Sequence, residues 1–393
     1  MASLIFRKGF DLERAVAGML AENYHSAVVD RIKADDFMYR TGRLTVHLAR
    51  EFGFCYGVDR AVDYAYQTRT RFPDRSVFLT GEIIHNPHVN DRLRAMGIRF
   101  LTDEPDAVDR LGPGDVVILP AFGLTVTTFQ QLDRRGCTMI DTTCGSVLNV
   151  WKNVRRYAKE GFTSIIHGKV WHEETQATAA QALDRGGRYL IVLDHDEAAA
   201  ACDHIRGGRD GRSLLERFGD AASAGFDPDR DLQRIGLANQ TTMLMSESLE
   251  IGEMFRQAVV DRYGADDLAL RFRAFDTICS ATQDRQDAVV ALLKERPVEI
   301  VIVIGGYNSS NTGNLARICA ASRPTFHVAD PDCLVSATEI RHRPVGSARA
   351  EVTTRGWLPA RGPVVVGLTA GASTPDNLVG ATIARLEAFC AGG

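Results

Sequence analysis

An α/β protein with mostly parallel sheets is what this chain predicts, on three observations. Short β-rich apolar runs alternate with amphipathic segments along most of its 393 residues. The runs are bounded by Gly, Asp, Asn and Ser, the residues that punctuate strands. Single cysteines also recur where such a run turns into a helix. After a helical stretch reaching about Lys33, the expected strands are "RLTVHLA", "SVFLTGEII", "DVVILPAFG", "CTMIDTT", "TSIIHG", "RYLIVL", "RIGLANQTT", "RFRAFDTI", "VEIVIVIGG", "PTFHVA" and "GPVVVGLTAG". Residues 206–232, "RGGRDGRSLLERFGDAASAGFDPDRDL", break this rhythm and read as an insertion.

Length argues for two or three domains. With 45% hydrophobic and 24% charged residues and a formal charge of −4, the chain has no general pull toward nucleic acid or membrane. Its longest apolar runs, "VEIVIVIGGY" and "GPVVVGLTAGA", fall short of the roughly 20 residues that span a bilayer. The N-terminal stretch has acidic residues early and no basic-then-apolar signal design, so the expected location is the cytoplasm. Eight cysteines without short paired spacings argue against a disulfide framework, and most are expected to be small buried residues.

Three of them share one setting. "FGFCYGVDRAV", "IDTTCGSVLNVW" and "FDTICSATQDRQDAV" each run from an apolar strand through Cys55, Cys144 or Cys279 into a helix, at domain-sized separations. A helix N-terminus favours a thiolate, and the turn after a strand is where open α/β sheets bind ligands. Three thiolates suit a zinc site or a 4Fe-4S cluster with one metal position left open for substrate. Two further loops, Asn308-Ser309-Ser310-Asn311 and Thr369 to Pro375, join strand to helix through small hydroxyls and Gly, a phosphate cradle without the P-loop lysine. His85 and His88, then His167, His172, Glu173 and Glu174, then Gln240, Thr241 and Thr242 supply polar groups in apolar surroundings. Among these, His172 suits an anion contact and Glu174 a proton donor.

The ordered set "GFCYGVDRAV", "GEIIHNPHVNDRL", "DTTCGSV", "HGKVWHEETQAT", "NQTTML", "ICSATQDRQDAV", "NSSNTGNL" and "TAGASTPDNLV" resembles the motifs of the 4-hydroxy-3-methylbut-2-enyl diphosphate reductase family. The N-terminal extension, "ILPAFG" and "GFDPDRDL" are similar to its longer plant and cyanobacterial form. The resemblance implies three α/β domains with small, mostly parallel sheets in a pseudo-threefold cloverleaf around a central iron-sulfur cluster. The expected partition is a helical extension 1–42, a first domain 43–143 completed by 376–393, a second 144–277 and a third 278–375. Cys55, Cys144 and Cys279 would hold a 4Fe-4S cluster, found also as 3Fe-4S or empty, whose fourth iron is left to the substrate's hydroxyl oxygen. His85, His172, Thr241, Ser309, Ser310, Asn311 and Ser373 match substrate and diphosphate contacts, and Glu174, with Thr241, proton delivery. The implied reaction is the two-electron reductive dehydroxylation of an allylic diphosphate. Electrons would come from ferredoxin or flavodoxin, since no GxGxxG fingerprint is visible. A non-redox iron-sulfur dehydratase of the quinolinate synthase kind, a cluster sensor and a metal-free nucleotide enzyme are the alternatives. The chain departs from the family's shorter form at Phe122, where a His is replaced and His167 or Lys169 could substitute. It also has Gly145 where Pro usually follows the second cysteine, which implies a more flexible turn.

Overall fold

A computed structural model describes residues 4–104, 106–207, 210–275, 277–347 and 351–391. Positions 208 and 209 of the expected insertion, and the outermost residues of the two expected terminal segments, lie outside the described residues. The chain is α/β with several small, mostly parallel sheets, as the alternating pattern predicts. It divides into two compact units, one of residues 4–5, 107–114 and 119–279, the other of 6–106, 115–118 and 280–391. Among the described residues no helix is long and apolar enough to cross a membrane.

In the second unit, Ile300–Ile304 (IVIVI) is a run of β-branched residues, all buried, the pattern of a strand covered on both faces. It lies between Thr325–Val328 and Val364–Ala370, parallel to both. Val364–Ala370 pairs in parallel with Leu44–Leu48, and Met38–Thr41 closes that edge antiparallel. Three adjacent strands of one sheet therefore end side by side and lead into the loops carrying Asn308 to Asn311, Ser373 and Cys55. The same unit holds Val77–Leu79, paired in parallel with Ile98–Phe100 and with Val116 to Ile118, and an antiparallel pair, Glu339–His342 with Val352–Arg355, that the apolar pattern does not announce.

The N-terminal extension is part of this unit's packing. Ser26 caps the helix Ala27–Ala34, whose Val29 and Ile32 join the core formed with the central strands and the helix Asp376–Ala391. Asn377 Nδ2 donates to Asn23 O at 2.7 Å, Lys33 pairs with Asp376 at 2.8 Å, and Gln67 Oε1 accepts from Phe10 N at 2.7 Å. The extension thus braces the helix that follows Cys55 and the helix that follows Ser373.

The loops at the strand ends pack through glycines. A Cβ on Gly371 would lie 1.9 Å from Thr312 Oγ1, and one on Gly305, at φ +146°, 2.5 Å from Thr374 Oγ1. Replacing Gly371 with Ala is expected to lower stability by about 2–3 kcal/mol, because the added methyl overpacks a buried hydroxyl pair. Gly313→Ala is the control: a Cβ there meets nothing within 4 Å on a helix, and it should be neutral or slightly stabilising. Chemical unfolding midpoints of the two variants check the contrast.

The first unit carries a four-stranded parallel sheet in the order Phe272–Ala274, Ile235–Asn239, Thr163–His167, Tyr189–Val192. Its core is built from Ile165, Leu190, Ile235 and Leu237 against Cys202, Ile251 and Phe255 of the covering helices. Three adjacent strands again end together, leading to Cys279, to Gln240 and Thr241, and to His172 and Glu174. The described part of the insertion includes two short α-helices, Gly211–Phe218 and Pro228–Asp231, and the Leu214 and Phe218 side chains of the first join the same core.

Candidate functional site

Cys55, Cys144 and Cys279 are the half-exposed cysteines; Cys137, Cys202, Cys319, Cys333 and Cys390 are buried. Cys55 and Cys144 occupy the N-cap positions of the helices Tyr56–Arg71 and Gly145–Lys159, and Cys279 directly precedes Ser280–Glu295. Each has its amide fastened to a loop at the end of another strand. Cys55 N donates to Ala372 O at 3.1 Å, Cys144 N to Ala121 O at 3.0 Å and Cys279 N to Thr241 O at 3.3 Å. These bonds fix the backbone at each cysteine. Five cysteines are thus buried, and three stand half-exposed at helix starts, where a thiol is accessible for ligation.

Around Cys55 the second unit assembles the hydroxyl and amide groups. Arg285, buried, donates from Nη2 to Gly53 O at 2.8 Å and so holds the turn before the cysteine. Gly53 itself, at φ +75°, approaches Asp376 so closely that a Cβ would lie 2.7 Å from Oδ1. Ser309 caps the helix Ser310–Ala320 and its Oγ accepts from Thr312 N at 3.3 Å and from Thr312 Oγ1 at 3.0 Å. Its own hydrogen is left for a further acceptor. Asn311 Oδ1 accepts from Ala372 N at 2.9 Å, while its Nδ2 is buried with no hydrogen-bond partner among the described residues. A buried orphan donor beside capping hydroxyls at a helix start is what an anion would satisfy. Ser310 is buried at the same helix start. Ser373 Oγ donates to His85 O at 3.1 Å, so this hydroxyl locks the histidine's loop.

In the first unit Glu174 is buried in the first turn of the helix Glu173–Leu183. Its carboxylate accepts from Thr241 N at 2.6 Å and from Thr241 Oγ1 at 3.1 Å. His172 caps the same helix, accepting from Glu174 N at Nδ1 over 3.2 Å. An accepting Nδ1 assigns the ring hydrogen to Nε2, which leaves that nitrogen as a donor. Gln240 ties the two loops together: its Oε1 accepts from Lys169 N at 3.1 Å and Thr175 Oγ1 at 3.2 Å. Gly168 permits this, since a Cβ there would lie 3.0 Å from Gln240 Cβ. His88, by contrast, stacks edge-on against Tyr24 of the N-terminal extension.

Phe122 packs edge-on against the His172 ring, with centroids 5.7 Å apart and planes at 78°. Its ring thus lies against one face of the imidazole environment. His167 is buried in its strand, with Nδ1 2.8 Å from Ser248 Oγ. Gly145 is the first residue of its helix, with open space at Cβ, a position that accommodates proline as readily as glycine. The sequence motifs contain Arg285, Gln240 and Gly53, but only the structure gives them roles.

A family model described as LytB protein matches residues 46–387. A 4-hydroxy-3-methylbut-2-enyl diphosphate reductase of Gloeobacter violaceus is 50% identical over 388 residues, covering 97% of this chain and 91% of that protein. The enzyme of the same name from Synechococcus sp. CC9311 is 49% identical over 387 residues, covering 98% and 95%. A solved structure of (E)-4-hydroxy-3-methyl-but-2-enyl diphosphate reductase, the terminal enzyme of the non-mevalonate pathway, is similar at TM-score 0.52 and 27% identity, over 87% of this chain and 99% of that one. A reductase structure from Plasmodium falciparum, at 21% identity, TM-score 0.58 and 86% coverage of each chain, shares the fold.

Proposed function

The chain belongs to the LytB family of 4-hydroxy-3-methylbut-2-enyl diphosphate reductases, and from that premise we propose that it converts 4-hydroxy-3-methylbut-2-enyl diphosphate to isopentenyl and dimethylallyl diphosphates, the last step of the methylerythritol phosphate route. The observation that carries the site assignment is the contrast between the amide-fastened, half-exposed Cys55, Cys144 and Cys279 and the five buried cysteines. Those three thiolates are the proposed ligands of a 4Fe-4S cluster, which when bound would relay the carrier's two electrons one at a time and offer a Lewis-acidic position at an iron without a protein ligand.

Everything else falls to the chain's own side chains. The reaction takes up two electrons and two protons, breaks the allylic C–O bond, releases the oxygen as water and places the second proton on carbon. Glu174 is the proposed proton donor, with Thr241 N and Oγ1 fixing its two oxygens. His172 Nε2, Ser309 Oγ, Ser310, Asn311 Nδ2 and His85 are the proposed donors to the diphosphate, with Ser373 supporting His85. Holding that charged end fixes the hydroxyl end for cleavage. Electrons are proposed to arrive from a ferredoxin- or flavodoxin-type carrier.

The test is anaerobic turnover of 4-hydroxy-3-methylbut-2-enyl diphosphate with a strong artificial reductant, following both isoprenoid diphosphates and the visible absorption of the protein. A coloured protein that forms both products is expected. Coloured protein that never consumes the substrate would overturn the function, and colourless protein after anaerobic purification would overturn the cluster.

A further inference from the structure

We propose that Glu82 is the positioning residue for diphosphate binding: its carboxylate, clamped by Asn308, holds Nδ1–H of His85 and offers the counter-charge to that ring when both its nitrogens donate in the diphosphate complex. This rests on the reaction proposed above and adds to it the pair that sets the state of one of its contacts.

The His85 ring is buried, and its Nδ1 lies 2.9 Å from Glu82 Oε2. Asn308 Nδ2 donates to the same carboxylate oxygen at 2.7 Å and stands 3.3 Å from the ring nitrogen. A carboxylate only accepts, so Nδ1 carries a hydrogen. The ring's remaining nitrogen, Nε2, can then donate to an anion only when it too is protonated, and Glu82 is the counter-charge that the doubly protonated ring needs. The backbone is held separately. Ser373 Oγ donates to His85 O at 3.1 Å, and Gly306 passes so close that a Cβ would lie 2.6 Å from the same oxygen. Carbonyl locks place the histidine, while the Glu82 side chain governs only its ring. Asn308 stands next to Ser309, so the clamp also couples the ring to the hydroxyl loop that is the other part of the proposed diphosphate site.

Glu82→Gln keeps a group that can hydrogen-bond to Nδ1 but removes the charge. His85 would bind the diphosphate as a neutral donor, and charge-assisted bonds are about twice as strong as neutral ones. The expected result on anaerobic holoenzyme is a rise of about tenfold in KM for the allylic diphosphate and in the inhibition constant of inorganic diphosphate, with kcat within about twofold of wild type. In Glu82→Gln/Asn308→Asp the carboxylate returns from the other side of Nδ1, and both constants should recover to within about threefold of wild type. Unchanged constants in Glu82→Gln, a loss confined to kcat and thermal stability, or a double variant no better than the single one would each overturn the proposal. Should Glu82→Gln not fold, Asn308→Ala, which frees the carboxylate without removing it, is expected to raise KM about threefold, and an unchanged KM there overturns the proposal as well. Wild-type enzyme in the same assay separates the two levels: absence of turnover condemns the reaction, whereas normal turnover with an indifferent Glu82 variant condemns only the pair.

Discussion

Glu174→Gln is expected to lower turnover by about two to four orders of magnitude while leaving the visible absorption and the unfolding midpoint near those of wild type. The variant is nearly isosteric. Gln Oε1 still accepts from Thr241 N, and the Thr241 hydroxyl can rotate to accept from Gln Nε2 in place of donating to the second carboxylate oxygen. The amides of Cys144 and Cys279 donate to Ala121 O and Thr241 O. What the substitution takes away is the proton that Glu174, in its proposed role, delivers with C–O cleavage. Thr241→Val should act in the same direction with a smaller effect, since Thr241 N keeps one carboxylate oxygen in place. Single-turnover product formation under anaerobic conditions, recorded beside the absorption spectrum, measures both. A Glu174→Gln enzyme that keeps its colour and turns over at the wild-type rate would remove Glu174 from proton delivery and send the search to His172 on the same helix cap.

Much of this arrangement can be read from the chain, and what cannot has a common cause. "VEIVIVIGG" and "GPVVVGLTAG" read as buried strands because a β-branched run bounded by Gly has few other uses. The loops after them declared their hydroxyls in the same way. The pairing of Leu44–Leu48 with Val364–Ala370, which brings Cys55 beside Ser373, leaves no local trace, because register between strands more than 300 residues apart is decided by tertiary packing. The same holds for Arg285, whose helical context looks like any solvated face until its guanidinium is found on Gly53 O. Glu82 illustrates the middle case. Its spacing from His85 is visible in "GEIIH", but three residues apart in a loop implies no contact until the ring and carboxylate are seen to face each other with Asn308 across them. Phe122 is different again: the sequence discloses that an imidazole is missing, and only the structure finds its ring against His172.

Alanine at Cys55, Cys144 or Cys279 should each abolish the visible absorption and all measurable turnover, whereas Cys202→Ala should retain both. The two kinds of position differ in what their sulfur does. Cys202 lies in the core, on the helix His195–Ile205 and against its neighbours, and burial pushes its thiol up to about 12. Cys319 is held up to about 12 by burial as well, and burial raises Cys333 and Cys390 in the same direction. Removing Cys202 costs a small cavity, on the order of 1 kcal/mol. At the three helix starts alanine preserves the amide bonds to Ala372, Ala121 and Thr241, so the loops retain the geometry that a thiol-dependent fold would lose. Loss of colour there reports on ligation and not on collapse of the turn. The variants should still unfold at lower denaturant than wild type purified anaerobically, because a ligand bound only by the native state stabilises it, and should match the wild-type protein after its iron is removed by chelation. An Ala variant at any one of the three positions that kept full absorption and turnover would break the proposed threefold scheme at that position, since the other five cysteines are buried.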